Sequence, residues 1–333
     1  MEKTGIIRFG IVGTNFISDW VITGGSQDTR FRAAAVCSRS EETGKTFADK
    51  HHIPHIFTSP EEMAASGTID AVYIASPNAL HCPLSLLFMK YGIHVLCEKP
   101  LASNLHEADA MMRAARKHKV VLMEAMKPTL TPNFKQVIKN LPRIGKVRNY
   151  FSSYCQYSSR YDKFKEGIIL NAFRPELSNG ALMDIGVYTI YPMVVLFGKP
   201  NRIQASGVLL STGADGCGSV IFEYEDMRAE IIYSKIADSY LPTEIQGEEG
   251  TLTLDRINTI STVSYRARGS EAPEDLSLIR DKDEYYYEVA AFIDTIVNDE
   301  RESAINSLTN SRIVMEVLDE IRRQLGVVYP ADL

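Results

Sequence analysis

The chain has 333 residues, 45% hydrophobic and 23% charged, with a formal net charge of -6. That length favours two domains, and the mild negative charge offers no bulk attraction to nucleic acid or to an anionic membrane. Cys37, Cys82, Cys97, Cys155 and Cys217 are five in number, widely spaced and without a C-x-x-C pair, which argues for reduced thiols, against a disulfide framework and against a metal site. Residues 1–5 lack the basic start and apolar core of a signal peptide. The most apolar run, 187–197, is too short to cross a bilayer. A cytoplasmic protein is expected.

Residues 6–12 form a short apolar run rich in β-branched side chains and closed by Gly13, which reads as a buried parallel strand. The turn Gly13-Thr14-Asn15-Phe16-Ile17-Ser18 then leads into helical spacing. A strand, a tight turn and a helix in that order form a phosphate site, because backbone N–H groups and the helix dipole converge on an anion. The G-x-G-x-x-G fingerprint is met only at Gly13: Asn15 and Ser18 occupy the other two positions. An ordinary strand-to-helix turn is the alternative.

Residues 31–36 read as a second strand, ending in Cys37-Ser38-Arg39. An acid here would bind the ribose hydroxyls of NAD. Ser38 and Arg39 stand there instead and suit a 2'-phosphate, which favours NADP and leaves NAD as the alternative. Residues 41–50 are helical, 55–57 a brief strand, and Ser59-Pro60 starts another helix. Residues 69–75 form a buried strand running into Ser76-Pro77-Asn78-Ala-Leu-His81. After a helix over 83–91, the strand 93–97 delivers Glu98-Lys99-Pro100, a charged turn at a strand terminus, where open parallel sheets bind ligands. A solvated turn lysine is the alternative. An amphipathic helix over 104–118 and a strand over 120–123 close the series.

This alternation predicts an α/β protein whose N-terminal doubly wound domain, residues 1–125, precedes an α+β domain, residues 126–333. The second domain is expected to carry a large open, mostly antiparallel sheet, from strands at 147–157, 202–210, 219–224, 229–236, 243–246, 251–254 and 259–265. Two final helices, 284–298 and 307–325, are free to pack back on the first domain. Between the first two of those strands lies Gly180-Ala-Leu-Met-Asp184-Ile-Gly-Val-Tyr188, a helical stretch in which Asp184 and Tyr188 share one face.

Taken together, Phe9-Gly-Ile-Val-Gly-Thr14, Ala75-Ser-Pro-Asn-Ala-Leu-His81, Glu98-Lys-Pro100, Gly145-Lys-Val147 and the stretch 180–188 resemble the glucose-fructose oxidoreductase, inositol dehydrogenase and rhizopine-catabolism (Gfo/Idh/MocA) family. Tyr188, where many members have histidine, is similar to the branch of dihydrodiol dehydrogenase and NADP-dependent D-xylose dehydrogenase. The resemblance implies a Rossmann domain and an active site with Lys99 and Asp184 facing across the nicotinamide. It also implies cofactor contacts from Gly13, Thr14, Asn15, Phe16, Ile17, Ser38, Arg39, Ser76, Pro77, Asn78, His81, Glu98 and Lys99. Asn15 and Lys127-Pro128 depart from the family pattern.

The reaction so implied is hydride transfer between NADP(H) and a sugar, polyol, dihydrodiol or related small hydroxy compound. Oxidation of an alcohol needs a base for the hydroxyl proton and a charge beside the developing alkoxide. Tyrosine, with a reference pKa of about 10, needs a neighbouring ammonium to act as that base. Tyr188 is therefore assigned as general acid/base and Lys99 as the cation, with the exchanged roles as an alternative. Asp184 orients the lysine or a substrate hydroxyl. A non-catalytic NAD(P)-binding sensor is the competing class. A homodimer or higher homo-oligomer through the open sheet is expected, with no nucleic-acid or membrane partner.

Overall fold

The computed structural model describes residues 5–333. The N-terminal segment read against a signal peptide lies, apart from Gly5, outside the described residues. The chain divides into two compact units, one running up to Lys127 and including Asp281–Ser311, the other comprising Pro128–Arg280 and Arg312–Leu333. Sequence alone places the boundary after residue 125 and leaves the final helices free to return; the first unit runs up to Lys127 and takes in Asp281–Ser311.

In the first unit β1 (Ile7–Val12), α1 (Phe16–Gly25), β2 (Phe31–Cys37), α2 (Glu41–His51), β3 (His55–Phe57), α3 (Pro60–Ala65), β4 (Ala71–Ile74), α4 (His81–Lys90), β5 (His94–Glu98), α5 (Leu105–His118) and β6 (Leu122–Ala125) follow one another. The six strands pair in parallel in the order β3-β2-β1-β4-β5-β6. All four residues of β4 and of β6 are buried, as a sheet covered on both faces requires. Helix starts follow local chemistry: the Ser40, Ser59 and Asn104 side chains accept from Thr43, Glu62 and Glu107 amides, and Pro60 opens α3. Along α5, Ala108, Met111, Met112 and Ala115 form the buried stripe.

The second unit contains α6 (Pro132–Asn140), β7 (Val147–Cys155), α7 (Ser159–Lys165), α8 (Val187–Phe197), β8 (Arg202–Leu209), β9 (Asp215–Glu223), β10 (Arg228–Ser234), β11 (Thr243–Gly247), β12 (Gly250–Leu254), β13 (Val263–Ala267) and β14 (Glu274–Asp275). Its sheet runs β14-β13-β12-β11-β7-β10-β9-β8. Every pairing is antiparallel except β7 with β10, which is parallel. α7 is absent from the sequence expectation for a physical reason: none of its residues is buried, so it carries no apolar periodicity. Residues 175–197 are together long and apolar enough to cross a membrane, but they are not one helix: Ser178 takes a left-handed conformation between a short 3-10 turn and the helical stretch 181–197. Of the most apolar 18 residues 72% are buried inside the protein, and the apolar character is that of a core helix.

Two helices end the chain, α9 (Glu284–Val297) and α10 (Leu308–Leu325). α9 belongs to the first unit because it packs on α1 and on the sheet. A Cβ on Gly24 would lie 2.7 Å from the Tyr285 Cβ, so only glycine lets the two helices touch, and the Phe292 and Phe9 rings are 5.9 Å apart. Most of α10 belongs to the second unit, where Gln324 accepts from the Ala205 amide and donates to the Ile203 carbonyl of β8.

Candidate active site

Strand order reverses between β1 and β4, so the crevice at their carboxyl ends is where an open α/β sheet holds a ligand. Gly13 lies there with φ +100°, and a Cβ on it would stand 2.8 Å from the Ala75 carbonyl oxygen. No other residue suits both conditions. Asn15 does not replace a glycine in kind: its φ is -91° and it is the N-cap of α1, with Oδ1 accepting from the Ile17 and Ser18 amides at 2.9 and 3.3 Å. Its Nδ2 donates to the Ala75 carbonyl at 2.8 Å, tying the ends of β1 and β4 together. Ser18, small and buried, donates to the Gly13 carbonyl at 2.9 Å. Thr14 is half-buried and Phe16 exposed beside this turn, while Ile17 is half-buried. At the end of β2, Arg39 is exposed, whereas Ser38 is buried with its hydroxyl 2.5 Å from that of Thr43. The 2'-phosphate expectation therefore rests on Arg39 rather than on both residues.

One strand beyond β4, β5 delivers Glu98, Lys99 and Pro100, and the Lys99–Pro100 peptide is cis. Three side chains hold this turn. Glu98 accepts from the Lys99 amide at 3.2 Å with one oxygen and from the Tyr73 hydroxyl at 2.5 Å with the other. His81 sets its two ring nitrogens 2.8 Å from the Pro100 carbonyl and 3.1 Å from the Ser76 carbonyl. Glu124 accepts from the Leu101 amide at 3.0 Å. The ammonium of Lys99 is thus carried on backbone that is fixed on both sides.

His81, expected among the cofactor contacts, has 0% exposure. It supports the loops on which Ser76, Pro77 and Lys99 stand; burial pushes it down to about 4, while the carbonyls beside its two nitrogens pull the other way. Glu98, expected in the same set, has both oxygens bonded within the protein. Its pKa is raised, chiefly by burial, against the pull of Lys99. Asn78 is buried beneath the same loop. Lys127, at the family departure, is buried in an ion pair with Glu284 and lies 4.8 Å from the Tyr285 ring centre, so it fastens α9 to the end of β6.

Burial raises Glu124 from 4.5 to about 7. Between those values the folded protein keeps a proton that the unfolded chain has released, so stability falls as pH rises through this window and levels off above it. For a wholly buried acid the difference corresponds to about 3 kcal/mol. Asp215, raised to about 6, contributes in the same sense. Melting temperatures of the wild type should therefore fall from about pH 4.5 to about pH 7, and Glu124→Gln should flatten that fall. Parallel curves for the two proteins would contradict the assignment.

In the second unit, Asp184 sits in a π turn, Leu182–Gly186, which leads directly into α8 with Tyr188 in its first turn. π turns widen a helix locally and commonly mark functional sites. Two glycines allow this one. A Cβ on Gly180 would overlap Asp215 Oδ1, and one on Gly186 would stand 3.1 Å from the Tyr233 ring of β10. Buried Asp215 accepts from the Leu182 amide at 2.7 Å and so anchors the start of the turn. Asp184 forms an ion pair with Lys235, the residue following β10. Tyr188 packs edge-on against Tyr154 of β7, with centroids 5.6 Å apart. Beside them stands an aromatic wall in which Phe164 and Phe173 are 5.4 Å apart and Tyr161 is 5.8 Å from Phe173.

Sequence reasoning singles out Lys99, Asp184 and Tyr188 as candidates but not Tyr73, Glu124, Asp215, Tyr154 and Lys235, which the structure sets around the candidate segments. The last of these stands among polar and apolar neighbours with no motif around it, and only the ladder of β10 brings it to Asp184. Among the described residues, no group of three or more His, Cys, Asp or Glu could hold a metal ion.

The sequence of the first unit matches a family described as an oxidoreductase family with an NAD-binding Rossmann fold, over residues 7–126, and the second matches the GFO/IDH/MocA C-terminal domain over residues 135–253. Over 327 residues, 98% of this chain and 99% of the relative, it is 50% identical to the NADP(+)-dependent scyllo-inositol 2-dehydrogenase of Bacillus subtilis (strain 168). The chain belongs to the GFO/IDH/MocA oxidoreductase family. The dihydrodiol dehydrogenases, toward which Tyr188 points, match at 32% in the trans-1,2-dihydrobenzene-1,2-diol dehydrogenase of Danio rerio, over 90% of this chain and 91% of that one. Among solved structures, levoglucosan dehydrogenase in complex with NADH and L-sorbose superposes with a TM-score of 0.86 at 16% identity, covering 96% of this chain and 97% of that chain. Aldose-aldose oxidoreductase from Caulobacter crescentus gives 0.84 at 19%, covering 96% and 98%. These two likenesses show the fold, a Rossmann-type parallel sheet followed by a mostly antiparallel one.

Proposed function

We propose that this GFO/IDH/MocA enzyme catalyses NADP-dependent oxidation of a secondary hydroxyl on a cyclic polyol, sugar or dihydrodiol, and the reverse reduction. The observation that carries this reading is the turn Lys99-Pro100-Leu101, held by Glu98, His81 and Glu124 beside the strand-order reversal. A surface lysine needs no such support; an ammonium that must meet a developing alkoxide does, because misplacement forfeits most of its effect. The cofactor fits the residues present: Gly13 leaves no Cβ against Ala75, the end of β2 carries no acid, and Arg39 is exposed there. Thr14, Phe16, Ile17, Ser76 and Pro77 complete the surface that would hold it. When bound, the cofactor supplies the hydride acceptor or donor.

The chain's own residues do the rest. Tyr188 takes the hydroxyl proton as the alcohol is oxidised and returns it in reduction, and the ammonium of Lys99 stabilises the negative charge on the substrate oxygen. Asp184 accepts a hydrogen bond from a second substrate hydroxyl. The 50% identity to a scyllo-inositol 2-dehydrogenase supports a cyclic polyol ahead of a dihydrodiol as the substrate class. The exposed side chains of Val208 and Ile221, on one face of β8 and β9, support assembly of two copies through this sheet, and five free cysteines support a reducing, cytoplasmic setting.

The test is to add NADP+ and a panel of inositols, aldoses and dihydrodiols to the purified enzyme and follow NADPH formation, with light scattering of the same sample. Turnover on at least one cyclic polyol and a mass of twice the chain are expected. Cofactor binding without turnover on any member of the panel would instead support a sensor.

A further inference from the structure

Lys235 is used by none of the steps above, yet it is one of the most deeply buried lysines of the chain, with 5% exposure. Its backbone is fixed at the end of a central strand: its amide donates to the Gly216 carbonyl at 2.9 Å, and its carbonyl accepts from the Ser158 amide at 2.9 Å. From that root the ammonium forms the ion pair with Asp184 Oδ2. On its other sides are the Phe173 ring, 5.9 Å from Nζ, and the buried carboxyl of Asp215, which the ammonium helps to keep ionised.

A buried ammonium costs several kcal/mol of desolvation, and a hydrophobic side chain of similar volume would often leave a fold as stable or more so. Stability therefore gives little reason for a lysine here. Asp184 supplies a better one. A carboxylate can accept about four hydrogen bonds, so commitment of Oδ2 to Lys235 fixes its orientation and still leaves acceptor capacity. Asp184 is also 29% exposed at its side chain, whereas that of Lys235 is 6% exposed. Asp184 is thus the member of the pair that reaches a ligand, and Lys235 the one that stands behind it. Tyr188 lies one turn further along, at the spacing of side chains that face the same way, about 5–6 Å between Cβ atoms. That separation suits two neighbouring hydroxyls of one ring.

We infer that Lys235 is a positioning residue: it holds Asp184 as an oriented carboxylate that accepts a hydrogen bond from the hydroxyl next to the one oxidised, so that the site selects a vicinal diol. This rests on the function proposed above. Asp184 reads the second hydroxyl, and Lys235 acts only through Asp184.

The test compares wild type, Lys235→Met and Lys235→Arg, each loaded with NADP+, on scyllo-inositol and on a deoxy-inositol lacking one hydroxyl next to the reacting carbon. For wild type, kcat/KM should favour the full polyol by about 30-fold, the worth of one hydrogen bond to a charged group. In Lys235→Met that preference should collapse, mainly through a higher KM for scyllo-inositol, while NADP+ affinity holds; Lys235→Arg should restore most of it. An equal loss on both substrates, as a purely structural role would give, or an unchanged preference overturns the inference. Calorimetric binding of scyllo-inositol to the NADPH-loaded protein separates this from the parent proposal. If wild type binds the polyol without turnover, the catalytic reading fails, and loss of binding in Lys235→Met alone still supports the pair. If wild type binds no polyol, both fail.

Discussion

Replacement of Lys99 by alanine should lower kcat by about 1,000-fold, the scale of losing one preorganised charge from a developing oxyanion. NADPH affinity should change little. The expectation follows from how the turn is built. Glu98, His81 and Glu124 bind the backbone of Lys99, Pro100 and Leu101, and none of those three bonds uses the lysine side chain. Truncation therefore removes the ammonium without releasing the loop. Fluorescence titration of NADPH and steady-state rates measure the two quantities separately. Activity within tenfold of wild type would remove Lys99 from the chemistry, and a large loss of NADPH affinity would make it a cofactor ligand first.

Replacement of Tyr188 by phenylalanine should cost about 100-fold or more in kcat, the usual contribution of a positioned acid/base group. The ring contact with Tyr154, at 5.6 Å and 76° between planes, needs only the aromatic face and edge, so the packing of α8 on β7 should survive and the melting temperature with it. This variant also decides the division of labour. If Tyr188 moves the proton, the pH dependence of kcat that reports the tyrosine disappears in the variant. If Lys99 is the base, the variant keeps that dependence and loses only a modest factor.

The first unit was legible in the chain because its signals are local. Each strand of a covered parallel sheet is a short apolar run, four of the five helices between the strands, α1, α2, α3 and α5, open on a side-chain cap, and the termini of β1, β4 and β5 carry glycine, proline or charge at the end of such a run. Gly13 and Lys99 are found this way. Asn15 shows the limit: in sequence it only stands where the fingerprint has its second glycine, but the structure uses it as a helix cap that also ties β1 to β4. His81 shows another. The family resemblance implies a cofactor contact for it, yet both ring nitrogens meet carbonyls from two loops that are far apart in sequence.

In the second unit the motif 180–188 announced Asp184 and Tyr188, while α7 and β14 left no trace, one having no buried face and the other only two residues. The assignment of α9 to the first unit is equally invisible locally, because it depends on Gly24 and Phe9, more than 250 residues away in sequence from the helix they receive.

What the sequence determined by itself is the alternation of strands and helices in the first unit, the turn at Gly13, the lysine at the end of β5 and the aspartate and tyrosine one turn apart, since each is written in residues that are neighbours along the chain. The tertiary structure alone decided what holds them. Tyr73, Glu124 and Lys235 lie 25, 23 and 51 residues from the groups they support, and a hydrogen bond or ion pair across such a span forms only after strand pairing has brought both ends together.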